Sequence, residues 1–332
     1  MPQTMNTKER EKSFQKFSAF SHPITNTKLQ QSDKGLLGDD GILFPLVNNR
    51  VIDFISPYLA SSYDEANLEM YNASASTEIY RNFLDWLFLS FNETEEEFRK
   101  KILKHLNLSI GDKVLITSVG LGNDISIIQK IIRSTGEIHA QDISKSMVLL
   151  AEQKNTDDNV MFSISNGNSL PYADQYFDAA FHFGGINLFG DTRKAIAELS
   201  RVCKTGGRVV FGDESIAPHL RGTEYAKIAI NNNNLWGVET PLNLLPYNAN
   251  DIQLNYILGN CFYIISFTNG TGFPFMNIDI EHKGIRGGSA RTRYYGQLEG
   301  VTEITKKKLI KKARESKTSV HNLLETIINK AI

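Results

Sequence analysis

The chain has 332 residues, 36 of them basic and 37 acidic for a formal charge of −1, with 41% hydrophobic and 22% charged. That composition excludes a wholly disordered chain, and the near-neutral charge argues against a protein that coats nucleic acid through bulk electrostatics. Two cysteines, Cys203 and Cys261, are too few for a disulfide framework or a cysteine-rich zinc site. No stretch approaches about 18 uninterrupted apolar residues, and the opening MPQTMNTKEREKSFQKF has no apolar signal-peptide core, so a soluble, cytoplasmic protein without a membrane span is expected.

Residues 1–35 are polar, lack a sustained apolar period, and read as a flexible arm or a lid that orders over a ligand. In GILFPLVNNRVIDFI (41–55), two short apolar runs flank Asn48-Asn49, a pair that tolerates the positive φ of a tight turn. A β-hairpin packed on something larger is expected there. Over 77–91, Ile79, Phe83, Trp86, Leu87 and Phe91 share one helical face. Thr94 with Glu97 three residues on signals a capping box, opening a helix that buries Phe98, Ile102 and Leu106. Residues 36–106 thus form a hairpin plus a helical N-terminal extension.

From Lys113 the texture changes. KVLITSV (113–119), EIHAQ (137–141), VMFSIS (160–165), FDAAFHF (177–183) and GRVVFGD (207–213) read as strands, with helices over 125–134, 144–154 and 192–203 between them. Such alternation predicts an α/β fold with a doubly wound, mostly parallel sheet and right-handed crossovers. FYIISFTN (262–269) and FMNIDIEH (275–282) supply a terminal antiparallel pair, giving a seven-stranded sheet within a core spanning 107–282. Residues 283–332 are a basic tail, twelve Lys and Arg against four Glu for a net of +8. Ile304, Leu309, Ile310 and Ala313 line one helix there, and Val320, Leu323, Leu324, Ile327 and Ile328 the next. The pair is read as packed on the main domain or as a dimerisation arm, the route to a homodimer.

The first strand of the core runs out into Ser118-Val119-Gly120-Leu121-Gly122-Asn123-Asp124, and a helix follows directly. Glycines let a ligand approach the backbone, and a helix N-terminus offers unpaired N–H groups. The second strand ends at Asp142, 22 residues after Gly120, where a carboxylate can accept from both ribose hydroxyls of an adenosine ligand. This spacing suits NAD and S-adenosylmethionine alike. The third glycine of a GxGxxG fingerprint is absent, Ile125 standing in its place, which weighs against a dehydrogenase.

Asn166-Gly167-Asn168-Ser169-Leu170-Pro171 then leads through Asp174 to Phe177-Asp178, Glu198, Arg201 and Lys204-Thr205-Gly206-Gly207. Together with Gly120, Gly122 and Asp142, this ordered set resembles the class I S-adenosylmethionine-dependent methyltransferases, most closely the small-molecule branch typified by the ubiquinone/menaquinone C-methyltransferases. The resemblance covers roughly residues 110–215. It implies a Rossmann-like methyltransferase fold, S-adenosylmethionine as cofactor with S-adenosylhomocysteine as product, and a small organic methyl acceptor. It further implies that Gly120 and Gly122 lie under the methionine and ribose, that Asp142 binds the ribose hydroxyls and that Ile143 packs on the adenine. Asn166 replaces the family's usual Asp near the adenine amino group, and Gly167 donates a backbone N–H to the ring. Two positions depart from the family pattern. Ile116 stands where an Asp or Glu is usual, and Ser118 where the first glycine is expected. Because that acid helps orient the cofactor's ammonium group, Asp124 or a carbonyl around Ser118 is expected to take its part.

Methyl transfer needs alignment and, for some acceptors, a base. The acceptor side of this fold lies beyond the fourth and fifth strands, which makes His182, Asp213 and Glu214 the candidate catalytic side chains. LWGVETPLNLLPYNA (235–249) reads as an aromatic loop that walls an apolar pocket. In HKGIRGGSARTRYYG (282–296), Arg286 and Arg291 beside Gly287-Gly288 and Tyr294 suggest a clamp for a carboxylate or phosphate. RNA methylation is the alternative, since the 41–55 hairpin resembles the small N-terminal module of some rRNA guanine methyltransferases and the tail is basic. The zinc-ligand cysteines of that module are missing, so nucleic acid is the weaker partner. A non-catalytic scaffold is the other alternative, motivated by Ile116 and Ser118.

Overall fold

Strands whose residues are buried on both faces are stable only between two helical layers, and the segments after Lys113 have that texture. The computed structural model describes residues 17–48, 50–58, 76–283, 287–295 and 301–332 and divides into two compact units, Met1–Pro274 and Phe275–Ile332. In chain order the first unit holds β1 (Gln30–Ser32), β2 (Gly35–Leu37), β3 (Leu43–Val47) and β4 (Val51–Asp53), then helices α1 (Ser76–Ser90) and α2 (Glu95–Leu103). The α/β part follows: β5 (Lys113–Thr117), α3 (Ile125–Ile132), β6 (Glu137–Asp142), α4 (Lys145–Lys154), β7 (Val160–Ile164), β8 (Phe177–Phe183), α5 (Thr192–Val202) and β9 (Cys203–Glu214). Helix α6 (Glu224–Asn232) and strands β10 (Ala249–Ile257) and β11 (Phe262–Asn269) complete it.

The described strands form one sheet of eleven, ordered β1-β2-β3-β4-β7-β6-β5-β8-β9-β11-β10. From β4 to β9 in that order the pairings are parallel, and β11 and β10 close the far edge antiparallel. The order reverses at β5, which lies between β6 and β8, so the crevice beyond their C-terminal ends is the ligand position such sheets provide. Strand β5 is buried through Val114, Leu115, Ile116 and Thr117, and α3 turns Ile125, Ile128 and Ile132 onto the sheet.

Three expectations are corrected. The sheet has eleven strands rather than seven, because the hairpin β3–β4 joins its edge through the parallel pairing of β4 with β7 and carries β1 and β2 with it. The partner of β11 is β10, drawn from a stretch that begins in the expected wall loop, and 275–282 forms no strand. Residues 17–35 are no free arm: Phe17 and Phe20 are buried, Phe20 stacks on Tyr172, and the Ser21 amide donates to the Pro171 carbonyl at 2.9 Å. Residues 1–16, and Asn49 of the turn, lie outside the described residues; Asn48 has the expected positive φ of 53°.

Several motif residues prove to be braces. Asp178 accepts from the Lys113 amide (2.9 Å) and Lys204 Nζ (2.6 Å), tying β8 to its two neighbours. Glu198 accepts from the Leu170 amide at 2.8 Å while Arg201 donates to the carbonyls of Leu170 (3.0 Å) and Tyr172 (2.7 Å). These bonds fix the loop after β7 that borders the crevice.

The second unit contains α7 (Ala290–Tyr295), α8 (Glu303–Glu315) and α9 (Val320–Ala331), the last two capped by Thr302 and Ser319. Among the described residues no helix is long and apolar enough to cross a membrane.

Candidate active site

The crevice encloses a cavity of about 520 Å³. Its floor is the turn after β5, the tip of β6 and the loop after β7. One wall comes from α1 and α2 through Tyr80, Phe83, Leu87 and Arg99, and the opposite wall from Phe183, Glu214, Leu235 and Phe262.

The floor turn is left-handed at Ser118 (φ 51°), Gly120 (51°) and Gly122 (75°). Ser118 therefore adopts a backbone that glycine takes freely and that a small polar residue tolerates at modest cost. At Gly122 a Cβ would lie 2.9 Å from the Ala151 Cβ and 3.0 Å from Asn155 Nδ2, so only glycine keeps the turn pressed on α4. Asp142 at the end of β6 is half-buried and accepts from the Gly120 amide through Oδ2 and the Ser144 amide through Oδ1, each at 3.0 Å. Burial raises its carboxyl above the ordinary range while these amides pull it back. A carboxylate has about four acceptor sites, so about two remain open.

Ile143, Asn166 and Gly167 line the same side. Asn166 Oδ1 accepts from the Asn168 amide at 2.9 Å, a bond that shapes the loop. A Cβ on Gly167 would fall 2.5 Å from Phe189 Cε2, which shows how closely that ring lies on the loop backbone. Asp124 precedes α3 without capping it and gives Oδ2 to Arg99 Nη1 at 2.7 Å. Burial works against the Arg99 charge, but Asp124 and Glu95 outweigh it and hold the guanidinium protonated.

Of the three catalytic candidates the structure brings one to the cavity. Glu214 lines it and is 8% exposed; burial, and then the neighbouring Asp213, push its carboxyl well above the usual carboxylate range. Asp213 is wholly buried behind it, accepting from the Asn187 amide (2.7 Å) and the Glu214 amide (2.9 Å), and acts as a tie between β9 and the loop after β8. His182 also sits behind the lining: Nδ1 shares a 2.9 Å hydrogen bond with Thr117 Oγ1, its ring meets Phe189 edge-on, and burial lowers it to about 4. Its place on the inner face of β8 makes it a neutral core residue. Ile116 is likewise core, 1% exposed within β5.

Tyr294 is exposed, and Arg291 is taken up in its own unit by a bidentate pair with Asp279 (2.6 and 3.0 Å), while Arg286 lies outside the described residues. Arg291 is therefore not the open clamp the sequence suggests, because an acid nearby already satisfies it. Conversely, Tyr80, Arg99, Asn168 and Phe189 at the cavity escaped the sequence reading. Arg99 follows Glu95 by four residues and looks like one half of an exposed helical ion pair, and only the fold turns it inward.

The profile of the ubiE/COQ5 methyltransferase family matches residues 80–224, the stretch that builds the cavity floor and both of its walls up to β9. The ubiquinone/menaquinone biosynthesis C-methyltransferase of Bdellovibrio bacteriovorus is 30% identical over 160 residues, covering 44% of this chain and 68% of that protein. The chain belongs to the ubiE/COQ5 methyltransferase family. It is accordingly an S-adenosylmethionine-dependent methyltransferase. A demethylmenaquinone methyltransferase of Halalkalibacterium halodurans is 29% identical over 121 residues, 36% of this chain and 49% of that protein, so against such relatives the chain spans about half of their length. Among solved structures, phosphoethanolamine N-methyltransferase 2 of Haemonchus contortus, in complex with S-adenosyl-L-methionine, shares the fold at a TM-score of 0.50 and 14% identity, covering 64% of this chain and 61% of that one.

Proposed function

We propose that this methyltransferase alkylates a small, largely apolar, hydroxylated aromatic acceptor, with Glu214 as the general base. The observation that carries the reading is the two-sided cavity: a polar edge with Gly120, Asp142 and the 166–168 loop faces a wall of Phe183, Leu235 and Phe262 with a single carboxyl, Glu214, set in it. The names of the relatives, quinone-pathway methyltransferases, point to the same acceptor class.

The residues present fit the cofactor. Asp142 retains open acceptor sites for the ribose hydroxyls, Gly120 and Gly122 keep side chains out of the turn, and Ile143 and Phe189 offer apolar faces to the adenine. Asn168 Oδ1, buried and without a hydrogen-bond partner among the described residues, is placed to accept from the adenine edge in support of Asn166. Bound there, S-adenosylmethionine supplies a methyl group already activated on a sulfonium.

This chain's residues then have three tasks. The floor and walls align donor and acceptor, which converts an encounter into a unimolecular step. Phe83, Phe183 and Phe262 exclude water, which prevents solvation of the reacting centre. Glu214, once ionised, takes the hydroxyl proton of the acceptor, raising electron density on the ring; burial and Asp213 raise its affinity for protons, so the ionised form gains as the pH rises. The test is direct. With S-adenosylmethionine and a reduced naphthoquinone as acceptor, mass spectrometry is expected to find one added methylene mass on the quinone and stoichiometric S-adenosylhomocysteine. Binding of S-adenosylhomocysteine without methylation of any aromatic acceptor refutes the acceptor assignment.

A further inference from the structure

We infer that Asp124 and Arg99 form the socket for the amino-acid end of the methyl donor, Asp124 Oδ1 accepting from its ammonium group and Arg99 donating to its carboxylate. The inference rests on the donor-site reading above and explains how this chain manages with Ile116 in place of an acid.

An aspartate directly before a helix ordinarily caps it. Asp124 does not: its side chain makes no capping bond to α3 and lines the cavity instead. The residue is 6% exposed, Oδ2 is engaged by Arg99, and Oδ1 is buried with no hydrogen-bond partner among the described residues. A buried acceptor left unpaired is costly, so native proteins rarely keep one that nothing fills.

Arg99 also lines the cavity, its side chain 12% exposed. It donates through Nε to Glu95 Oε1 (2.6 Å) and through Nη1 to Asp124 (2.7 Å), and Asn123 Nδ2 pins Glu95 from the other side at 2.7 Å. The guanidinium is thus held rigidly with donors to spare. Position and charge agree with the assignment. The left-handed turn of 118–122 joins Asp142, on the ribose side, to Asp124, on the methionine side. Glu95, Arg99 and Asp124 together carry one net negative charge against a ligand whose sulfonium, ammonium and carboxylate sum to one positive charge.

The experiment compares, by titration calorimetry, S-adenosylhomocysteine with 5′-methylthioadenosine, which has the same adenosine and thioether but no amino acid. For Asp124→Asn, affinity for S-adenosylhomocysteine is expected to fall at least about tenfold, the scale of one charge-assisted hydrogen bond, with 5′-methylthioadenosine unaffected. Loss that is equal for both ligands, or absent for both, overturns the socket and leaves the donor site standing. Binding of neither ligand by the unaltered protein overturns the donor site and the socket with it. Should Asp124→Asn fail to fold, the unaltered protein decides: decarboxylated S-adenosylmethionine is expected to bind at least about tenfold more weakly than S-adenosylmethionine, and equal affinity refutes the role of Arg99.

Discussion

Asp142→Ala separates the brace that one carboxylate provides from the donor binding proposed for it. In the protein it accepts from the amides of Gly120 and Ser144, each at 3.0 Å, and so braces the floor turn. The site is half-open, so water replaces the lost acceptor and each bond is worth about 1 kcal/mol, or roughly 2 kcal/mol in all. For a chain of this size that corresponds to a fall of about 3 °C in Tm. On the proposed reading the two acceptor sites still open take the ribose hydroxyls, and losing charge-assisted bonds there is expected to weaken donor binding by about 1.5–3 kcal/mol, a Kd raised roughly 10- to 150-fold. Calorimetric titration with S-adenosylhomocysteine reads the second effect and a thermal melt without ligand reads the first. A variant with the lower Tm but a Kd within about twofold of the original would refute the reasoning, for the carboxylate would then be a brace alone.

Glu214→Gln is expected to leave S-adenosylhomocysteine affinity intact while lowering the methylation rate by about 10²- to 10⁴-fold, and stopped-time assays at saturating donor measure it. Because burial and Asp213 raise the Glu214 carboxyl, the unaltered enzyme gains activity with pH through a limb above the ordinary carboxylate range, and that limb vanishes in the variant. Gly167→Ala places a Cβ 2.5 Å from the Phe189 ring, so that ring or the loop beside the cavity must shift; calorimetry is expected to show donor affinity reduced at least about fivefold. His182 is neutral when folded, lowered from 6.5 to about 4, so the unfolded chain takes up its proton first as the pH falls below 6.5. Its contribution is complete above that pH and is lost progressively down to about 4. Relative to wild type, His182→Gln should therefore gain roughly 2 kcal/mol between pH 7.5 and 5, read from urea midpoints; parallel pH profiles for the two proteins contradict the assignment.

What the sequence discloses follows from where the free energy lies. Strands β5 to β9 and helices α3 to α5 are legible because burial on both faces forces β-branched runs, and burial on one face forces a helical period. Thr94 and Ser144 announce their helices by the caps the structure shows. The edge is harder to read. Strand β10, ANDIQLNYI, buries only its ends, so its pattern is thin and reads as loop, whereas FMNIDIEH alternates like a strand yet leaves Phe275 at 93% and Ile280 at 67% exposed. The floor of the cavity was readable because its turn carries glycines and its strand tip an acid, both fixed in local spacing. The walls were not, since Tyr80, Phe98 and Arg99 look like ordinary residues of amphipathic helices and acquire meaning only when α1 and α2 cross the mouth of the sheet.

The departures at Ile116 and Ser118 prompt the idea of a scaffold that has lost its ligand, and the structure argues against it on energetic grounds. Ser118 holds the left-handed backbone that Gly120 and Gly122 also adopt, so the turn forms without a glycine there. Around that turn, Asp124 Oδ1 and Asn168 Oδ1 are buried without hydrogen-bond partners among the described residues, and a carboxyl is set among aromatic rings at Glu214. Each of these is a standing penalty that an apolar substitution would relieve, since a matched apolar replacement of a buried polar group is neutral or stabilising. Ile116 shows such an apolar residue one strand residue away from the turn, buried within β5, where the family pattern has an acid. That the relief was taken at Ile116 and refused at Asp124, Asn168 and Glu214 is the pattern of a site kept for a charged, hydrogen-bonding occupant.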